Sequence, residues 1–299
     1  MLLVTGITGH TGSYFVRELI KCNYSGNIRC IVRESSNLNK VKSTALNMEF
    51  VYGDLNDSNF INESLIGINQ ILHIYNIHHS PEIVKAAINN GVERVILVHT
   101  TGIYSQFKDA SKRYKEIEAE VKELVLSAPH NLDLTILRPS MIYGDLCDSN
   151  VSKFIKIVDM FPLIPVIEKG DNLIQPVNAR DLGKAYYSVL VNPEETANGE
   201  YDLTGPEPIT IKEMYTLIAE GLGKKRKFVS IPIGLAKAMA ILIKIISLKN
   251  IDYIEKVSRM TENRSYSHDL AKLHFNFSPM PFSEGIRIEI NEYLKGDKL

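Results

Sequence analysis

Short β-branched runs alternate with helical periodicity from Met1 to about Arg138. The runs at Leu2–Thr5, Asn27–Val32, Met48–Tyr52, Gln70–Ile74, Val92–Val98 and Leu132–Leu137 predict strands, and the intervening i, i+3, i+4 spacing predicts helices over Gly12–Cys22, Asn37–Leu46, Asp57–Ile66, Pro81–Asn90 and Ser111–Ser127. Six strands with five crossovers make an α/β, doubly wound parallel sheet covered on both faces, whose ligand cleft lies beyond the carboxyl ends of the strands. After Arg138-Pro139 the rhythm breaks into shorter helices, brief strands and several prolines, which predicts a smaller second lobe. The boundaries expected are 1–145 for the sheet domain and 146–299 for the lobe, with about 171–204 returning to the sheet domain. Ile233–Leu248 is apolar apart from Lys237 and Lys244; it is too short for a membrane span and is expected to pack within the lobe. The basic run Lys224-Lys225-Arg226-Lys227 reads as a solvated turn after a helix.

Composition narrows the classes. The 299 residues suit one large domain or two small ones, and 44% hydrophobic with 23% charged residues is the balance of a globular protein. The 34 Lys+Arg against 35 Asp+Glu give a net charge of −1, so nothing draws the chain as a whole to nucleic acid or anionic membranes. Cys22, Cys30 and Cys147 are too few and too scattered for a disulfide framework or a metal knuckle and read as reduced thiols. Met1 leads straight into an apolar strand, leaving no room for a secretion signal, and the expected location is cytoplasmic. His78-His79 lacks a carboxylate or cysteine at ligand spacing, so no metal is expected there.

Candidate chemistry begins at Thr5-Gly6-Ile7-Thr8-Gly9-His10-Thr11-Gly12, between the first strand and the first helix. Gly6 permits the tight turn, Gly9 lets backbone amides approach a pyrophosphate, and Gly12 lets the helix pack closely with its N-terminus facing the anion. A glycine turn without a ligand has the same spelling; its position between strand and helix favours a dinucleotide, with Thr8, His10 and Thr11 beside it. The second strand ends Ile31-Val32-Arg33-Glu34-Ser35-Ser36. Arg33 comes first and suits a ribose 2′-phosphate, favouring NADP(H), while Glu34 keeps NAD(H) open.

With these motifs in place, the chain resembles the extended and atypical short-chain dehydrogenases/reductases, the NAD-dependent epimerase/dehydratase family. Besides the glycine loop, the resemblance rests on Gly53-Asp54-Leu55, His99-Thr100-Thr101-Gly102-Ile103-Tyr104, Leu137-Arg138-Pro139-Ser140-Met141-Ile142-Tyr143-Gly144, the helix start around Asn178–Ala185, and Gly199–Glu207. It implies a Rossmann domain with a carboxyl-terminal substrate lobe and an NAD(P) cofactor held by Gly6, Thr8, Gly9, His10, Thr11, Gly12, Arg33, Asp54, Leu55, Pro139 and Met141. It also implies that Tyr143 lines the nicotinamide side of the cleft. A homodimer stays open.

Members of this family that transfer hydride use a Ser or Thr after the fifth strand and a Tyr-x-x-x-Lys dyad on the next helix. Thr100 matches the hydroxyl and Tyr114 the tyrosine, while the lysine position holds Glu118 and the family's glutamate position holds Lys122. An i, i+4 surface pair between those two charges is expected, and a carboxylate beside the tyrosine would raise its pKa rather than lower it. Lys112, Lys115 or a literal Tyr104-x-x-x-Lys108 are the substitutes for the missing lysine. NmrA-type members bind NADP(H) without the dyad, some as reductases and some as redox sensors. Two readings follow: an NAD(P)H-dependent oxidoreductase or epimerase-like enzyme acting on a small carbonyl or hydroxyl compound through Thr100 and Tyr114, or a non-catalytic NADP(H)-binding sensor.

Overall fold

The computed structural model describes residues 1–107, 109–148, 150–247 and 253–296, except for the side chains of 242–247 and 253. Apolar runs form seven parallel strands: β1 (Leu2–Thr5), β2 (Ile28–Val32), β3 (Met48–Tyr52), β4 (Gln70–His73), β5 (Arg94–Val98), β6 (Asp133–Pro139) and, much later in the chain, a seventh over Glu200–Leu203 that pairs with β6. The order outward from β1 is β2 then β3 on one side, and β4, β5, β6 and the Glu200–Leu203 strand on the other. The topological switch therefore falls between β1 and β4, where the glycine loop leaves the sheet.

Two apolar layers flank the sheet. One face carries α1 (His10–Lys21), which packs on the later helix Ala179–Val191 so closely that a β-carbon on Gly183 would lie 2.6 Å from the Tyr14 carbonyl carbon. The other carries α2 (Ser58–Ser64), α3 (Ser80–Asn89) and α4 (Ala110–Leu126), closing over Ile61, Ile83, Val95, Ile117 and Val121. The helix expected over Asn37–Leu46 does not form. The segment is a series of turns in which the side chains of Asn37 and Ser43 accept from the amides of Asn39 and Ala45, while Val41 and Leu46 still reach the core. Local side-chain bonds of this kind compete directly with helical ones.

After β6 the chain continues through β7 (Ile142–Tyr143), α5 (Val151–Met160), β8 (Leu163–Ile167), β9 (Leu173–Ile174), β10 (Val177–Asn178), α6 (Ala179–Val191), α7 (Pro193–Thr196), β11 (Glu200–Leu203), β12 (Ile209–Thr210), α8 (Ile211–Gly221), β13 (Lys227–Ile231), α9 (Ile233–Ser247), α10 (Tyr253–Arg259), α11 (Asp269–Phe275) and α12 (Phe282–Gly296). Of these, α6, α7, β11 and α11 belong spatially with the sheet domain. The lobe's own core joins α5, α8 and α12 around Tyr143, Ile155, Met214 and Ile286. Tyr143 is fully buried against Phe282 rather than lining the cleft, because β7 pairs with β10 and turns the ring into the lobe interior. The basic run ends in β13, where Lys224 pairs with Asp159 and Arg226 donates to the carbonyls of Val158 and Asp159.

The apolar stretch expected to pack within the lobe forms α9, which leaves Leu235, Met239 and Ile241 exposed; residue 248, its expected end, lies outside the described residues. No helix among the described residues is long and apolar enough to cross a membrane.

One acid is buried at the junction of lobe and loop. Glu289 on α12 is fully buried and accepts from the Leu146 amide at 3.1 Å with Oε1, while Oε2 has no hydrogen-bond partner among the described residues. Burial, reinforced by the neighbouring Asp148 carboxylate, pushes its pKa well above the ordinary carboxylate range. The unfolded chain therefore ionises first as pH rises, and this acid subtracts stability between about pH 5 and pH 8. Glu289→Gln keeps the acceptor and removes the charge. Its melting temperature is expected to exceed wild type by a margin that widens from about pH 5 to about pH 8 in thermal denaturation; a margin independent of pH would show that the acid is not titrating there.

Candidate functional site

The glycine loop forms the floor of a cavity of about 510 Å³ at the carboxyl ends of β1, β2 and β4. Gly6 sits at φ +74°, and a β-carbon there would lie 2.8 Å from the Tyr75 amide nitrogen. Gly12 has no room for one either, because it would collide with the carbonyl oxygens of Gly6 and Ile7. Gly9 precedes α1 and makes no side-chain cap, so the first amides of this helix face the cavity without an internal acceptor. That arrangement suits an oxyanion.

The sequence-derived positions divide between two cavities. Gly6, Thr8, Gly9, His10, Thr11, Arg33, Asp54 and Leu55 line the first, together with Ser36, Tyr75, Asn76 and His79. Arg33 reaches over the Tyr75 ring at 5.9 Å from the centroid, and its amide donates to Ser36 Oγ at 3.0 Å. Glu34, on the neighbouring position, is not among the lining residues. Gly12 lies beneath the loop, supporting it. Asp54 Oδ1 accepts from the backbone and side chain of Asn56 at 3.0 and 2.8 Å, fixing the turn after β3.

A second cavity, of about 460 Å³, shares His10 and Ile142 with the first and runs between the lobes. Thr100 and Met141 line it, with Thr101, Ser105, Ser140, Gln175, Arg259, Arg264 and Tyr266. Thr100 Oγ1 accepts from the Gly102 amide at 3.0 Å, which leaves its own proton free to donate into the cavity. Pro139 ends β6 just behind this wall, its carbonyl accepting from Thr101 Oγ1 at 3.4 Å. The loop after Tyr104 is tied down from the other lobe, since Glu262 accepts from Ser105 Oγ and the Gln106 amide, both at 2.7 Å.

Tyr114 is not among the residues lining either cavity; its ring packs near His78, 5.8 Å between centroids. Lys112 and Lys115 on the same helix are exposed, and Lys108 lies outside the described residues. The expected surface pair between Glu118 and Lys122 does not form. Glu118 is 4% exposed and receives Arg138 through Nε to Oε1 at 2.9 Å and Nη2 to Oε2 at 2.5 Å. Lys122 instead pairs with Glu200, which also receives Arg138. The spacing rule for helix surfaces fails because α4 turns Glu118 toward β5 and β6, where a buried cation is available.

The same carboxylate orders His99. Because Glu118 only accepts, His99 Nδ1–H donates to it at 3.0 Å, and Nε2 accepts from Ser80 Oγ at 3.0 Å. Burial, partly offset by the glutamate, lowers the pKa of this imidazole. Burial pushes that of Glu118 upward, but the hydrogen bonds and charges of Arg138 and His99 outweigh it and hold the acid at about 2. Ser80, His99 and Glu118 are all buried, so this chain of hydrogen bonds stiffens the wall behind Thr100 rather than facing a ligand.

A polar strap also crosses the glycine loop. His10 Nε2 meets Asp145 Oδ1 at 2.6 Å, and Arg180 holds the preceding turn by donating to the Gly144 carbonyl. Burial raises the pKa of Asp145, but the His10 contact and the Cys147 amide dominate and leave it at about 2. The strap was not legible as a contact in sequence, since 135 residues separate its partners.

A model of the NmrA-like family matches residues 1–286. The chain belongs to the NmrA-like family. This NmrA-like protein is 27% identical over 165 residues to the mitochondrial NADH dehydrogenase [ubiquinone] 1 alpha subcomplex subunit 9 of Arabidopsis thaliana, covering 54% of this chain and 40% of that protein. It is 24% identical over 265 residues to 3beta-hydroxysteroid-dehydrogenase/decarboxylase isoform 1 of the same plant, covering 77% of this chain and 60% of the relative. The matches thus span roughly half the length of these curated relatives. Among solved structures, DesIV, a dTDP-glucose 4,6-dehydratase from Streptomyces venezuelae with NAD and TYD bound, superposes with a TM-score of 0.72 at 18% identity over 99% of this chain and 98% of that one. The NmrA-like chain therefore shares the whole Rossmann-plus-lobe architecture of the epimerase/dehydratase structures.

Proposed function

We propose that this NmrA-like protein is an NADP(H)-dependent oxidoreductase acting on a small carbonyl or hydroxyl compound. The observation that carries the reading is the adjacency of the two cavities: a glycine-floored cradle and a polar pocket lined by Thr100 share His10 and Ile142 as walls. Gly6, Gly9 and the uncapped α1 N-terminus would hold the pyrophosphate, Arg33 with Ser36 the 2′-phosphate, and Asp54 with Leu55 the adenosine end. When bound, the nicotinamide supplies or accepts a hydride. The chain supplies orientation and a proton. Thr100 can donate to a substrate oxygen, as can Tyr266, whose phenol burial keeps protonated.

The test is NADPH oxidation against a panel of small carbonyl compounds. Thr100→Val is expected to lower kcat by about 10²-fold with NADPH affinity retained. Tyr114→Phe, which touches neither cavity, is expected to stay within about threefold of wild type. If Tyr114→Phe instead abolishes turnover, the dyad tyrosine acts after all and the assignment to Thr100 fails.

One observation favours a second reading. Where the dyad lysine would stand, the chain holds a carboxylate locked to Arg138. A sensor needs no proton donor, only different affinities for NADP+ and NADPH. Absence of turnover across the panel together with a clear difference in those two affinities would select it.

A further inference from the structure

The second cavity is lined by two arginines and one acid. Arg259, at the end of α10, and Arg264, bridged to Ile174 beside β9, both line it. The Nε of each is buried and has no hydrogen-bond partner among the described residues. The nearest acid to Arg259 is Glu255, at 4.0 Å, and that carboxylate also accepts from the Asp109 amide. Glu262, the nearest acid in sequence to Arg264, spends both oxygens on Ser105 and Gln106. Asp148, the acid among the lining residues, accepts from the amides of Asn150 at 2.7 Å and Ser152 at 3.2 Å. Gln175 is also occupied, donating to the Gly205 carbonyl and accepting from the Tyr266 amide.

Two half-buried guanidinium groups brought to one cavity repel each other and lose part of their hydration, a cost that an anion shared between them removes. Burial and the charge of Arg259 both act to lower the pKa of Arg264, which is the same strain seen from the proton's side. Guanidinium forks match a carboxylate better than any other side chain does. Thr100 lines the same cavity, with a donor proton to spare.

We propose that the second cavity binds an oxo acid or hydroxy acid, whose carboxylate is held between Arg259 and Arg264 while its carbonyl or hydroxyl oxygen faces Thr100. The inference rests on the oxidoreductase reading for the reacting oxygen; the carboxylate subsite stands without it.

The experiment is calorimetric titration of the full chain, with and without NADP+, using levulinate and phenylpyruvate, each against its methyl ester, and inorganic phosphate as a further probe. At least one acid is expected to bind about tenfold or more tightly than its ester. Arg264→Met and Arg259→Met should each remove that preference while leaving ester binding and NADP+ affinity unchanged and without lowering the melting temperature, and Arg264→Lys should restore part of it. Acids and esters binding alike, or binding by neither, overturns the subsite, as does acid preference that survives both arginine variants. Phosphate binding more tightly than either acid would assign the arginines to a phosphate ligand and overturn the carboxylate. Acid preference through the arginines without any NADPH-dependent turnover would leave the subsite standing and remove the oxidoreductase reading instead.

Discussion

Glu118→Ala is expected to lower stability by about 3–5 kcal/mol, because it leaves the buried Arg138 guanidinium without its bidentate partner and His99 without its acceptor. For a chain of this length that corresponds to a fall in melting temperature of roughly 5–8 °C. Glu118→Gln preserves an acceptor and is expected to cost less. The pH dependence separates this carboxylate from a merely space-filling one. Its folded-state pKa of about 2 lies below the ordinary 4.5, so its contribution is present above pH 4.5 and is lost as pH falls from there toward 2. His99, held neutral, takes up protons in the unfolded chain first, so its contribution begins to fade below 6.5. Urea denaturation at about pH 7, 5 and 3 should show wild type weakening in both stages and Glu118→Ala lacking the lower one. Equal acid sensitivity in the two proteins would mean that the ion pair does not hold the wall. A further consequence concerns the missing dyad. Glu118→Lys would set an ammonium against Arg138 in a buried site, so a single substitution cannot recreate Tyr-x-x-x-Lys here; the register of α4 is committed to the structural network.

The sheet domain was legible because its determinants are local. A β-branched run followed by Gly6-Ile7-Thr8-Gly9-His10-Thr11-Gly12 specifies strand, turn and helix within twelve residues, and the structure forms them there. The place of Arg33 on the cavity wall was legible for the same reason, since it follows β2 directly. The segment Asn37–Leu46 misled because apolar residues at 38, 41 and 45–46 mimic a helical face, while Asn37 and Ser43 bond the backbone locally instead. Glu118 misled because its partners His99 and Arg138 come from β5 and β6, about twenty residues away on either side. Tyr143 was placed by resemblance at the cleft, and the pairing of β7 with β10 turned it inward. Arg259 and Arg264 left no mark at all in the sequence, because two arginines five residues apart become a pair only when the lobe folds back over Thr100.

Arg33→Ala is expected to weaken NADPH binding about 10- to 100-fold while changing NADH binding by less than about threefold. The basis is geometric and electrostatic. Arg33 lines the first cavity directly after β2, with Ser36 and the Tyr75 ring beside it, and Glu34 is not among the residues facing the cavity. A guanidinium on a phosphate contributes about 1.5–3 kcal/mol, which is the tenfold to hundredfold range, and it has nothing comparable to bind on a ribose 2′-hydroxyl. The loss should shrink as salt is raised, because the contact is exposed and screened. Titration by the fluorescence of the reduced nicotinamide reads both affinities in the same protein. Equal losses for the two nucleotides would end the 2′-phosphate assignment and return the position to Glu34, whose carboxylate would then have to swing onto the ribose by a change of one residue in the turn after β2.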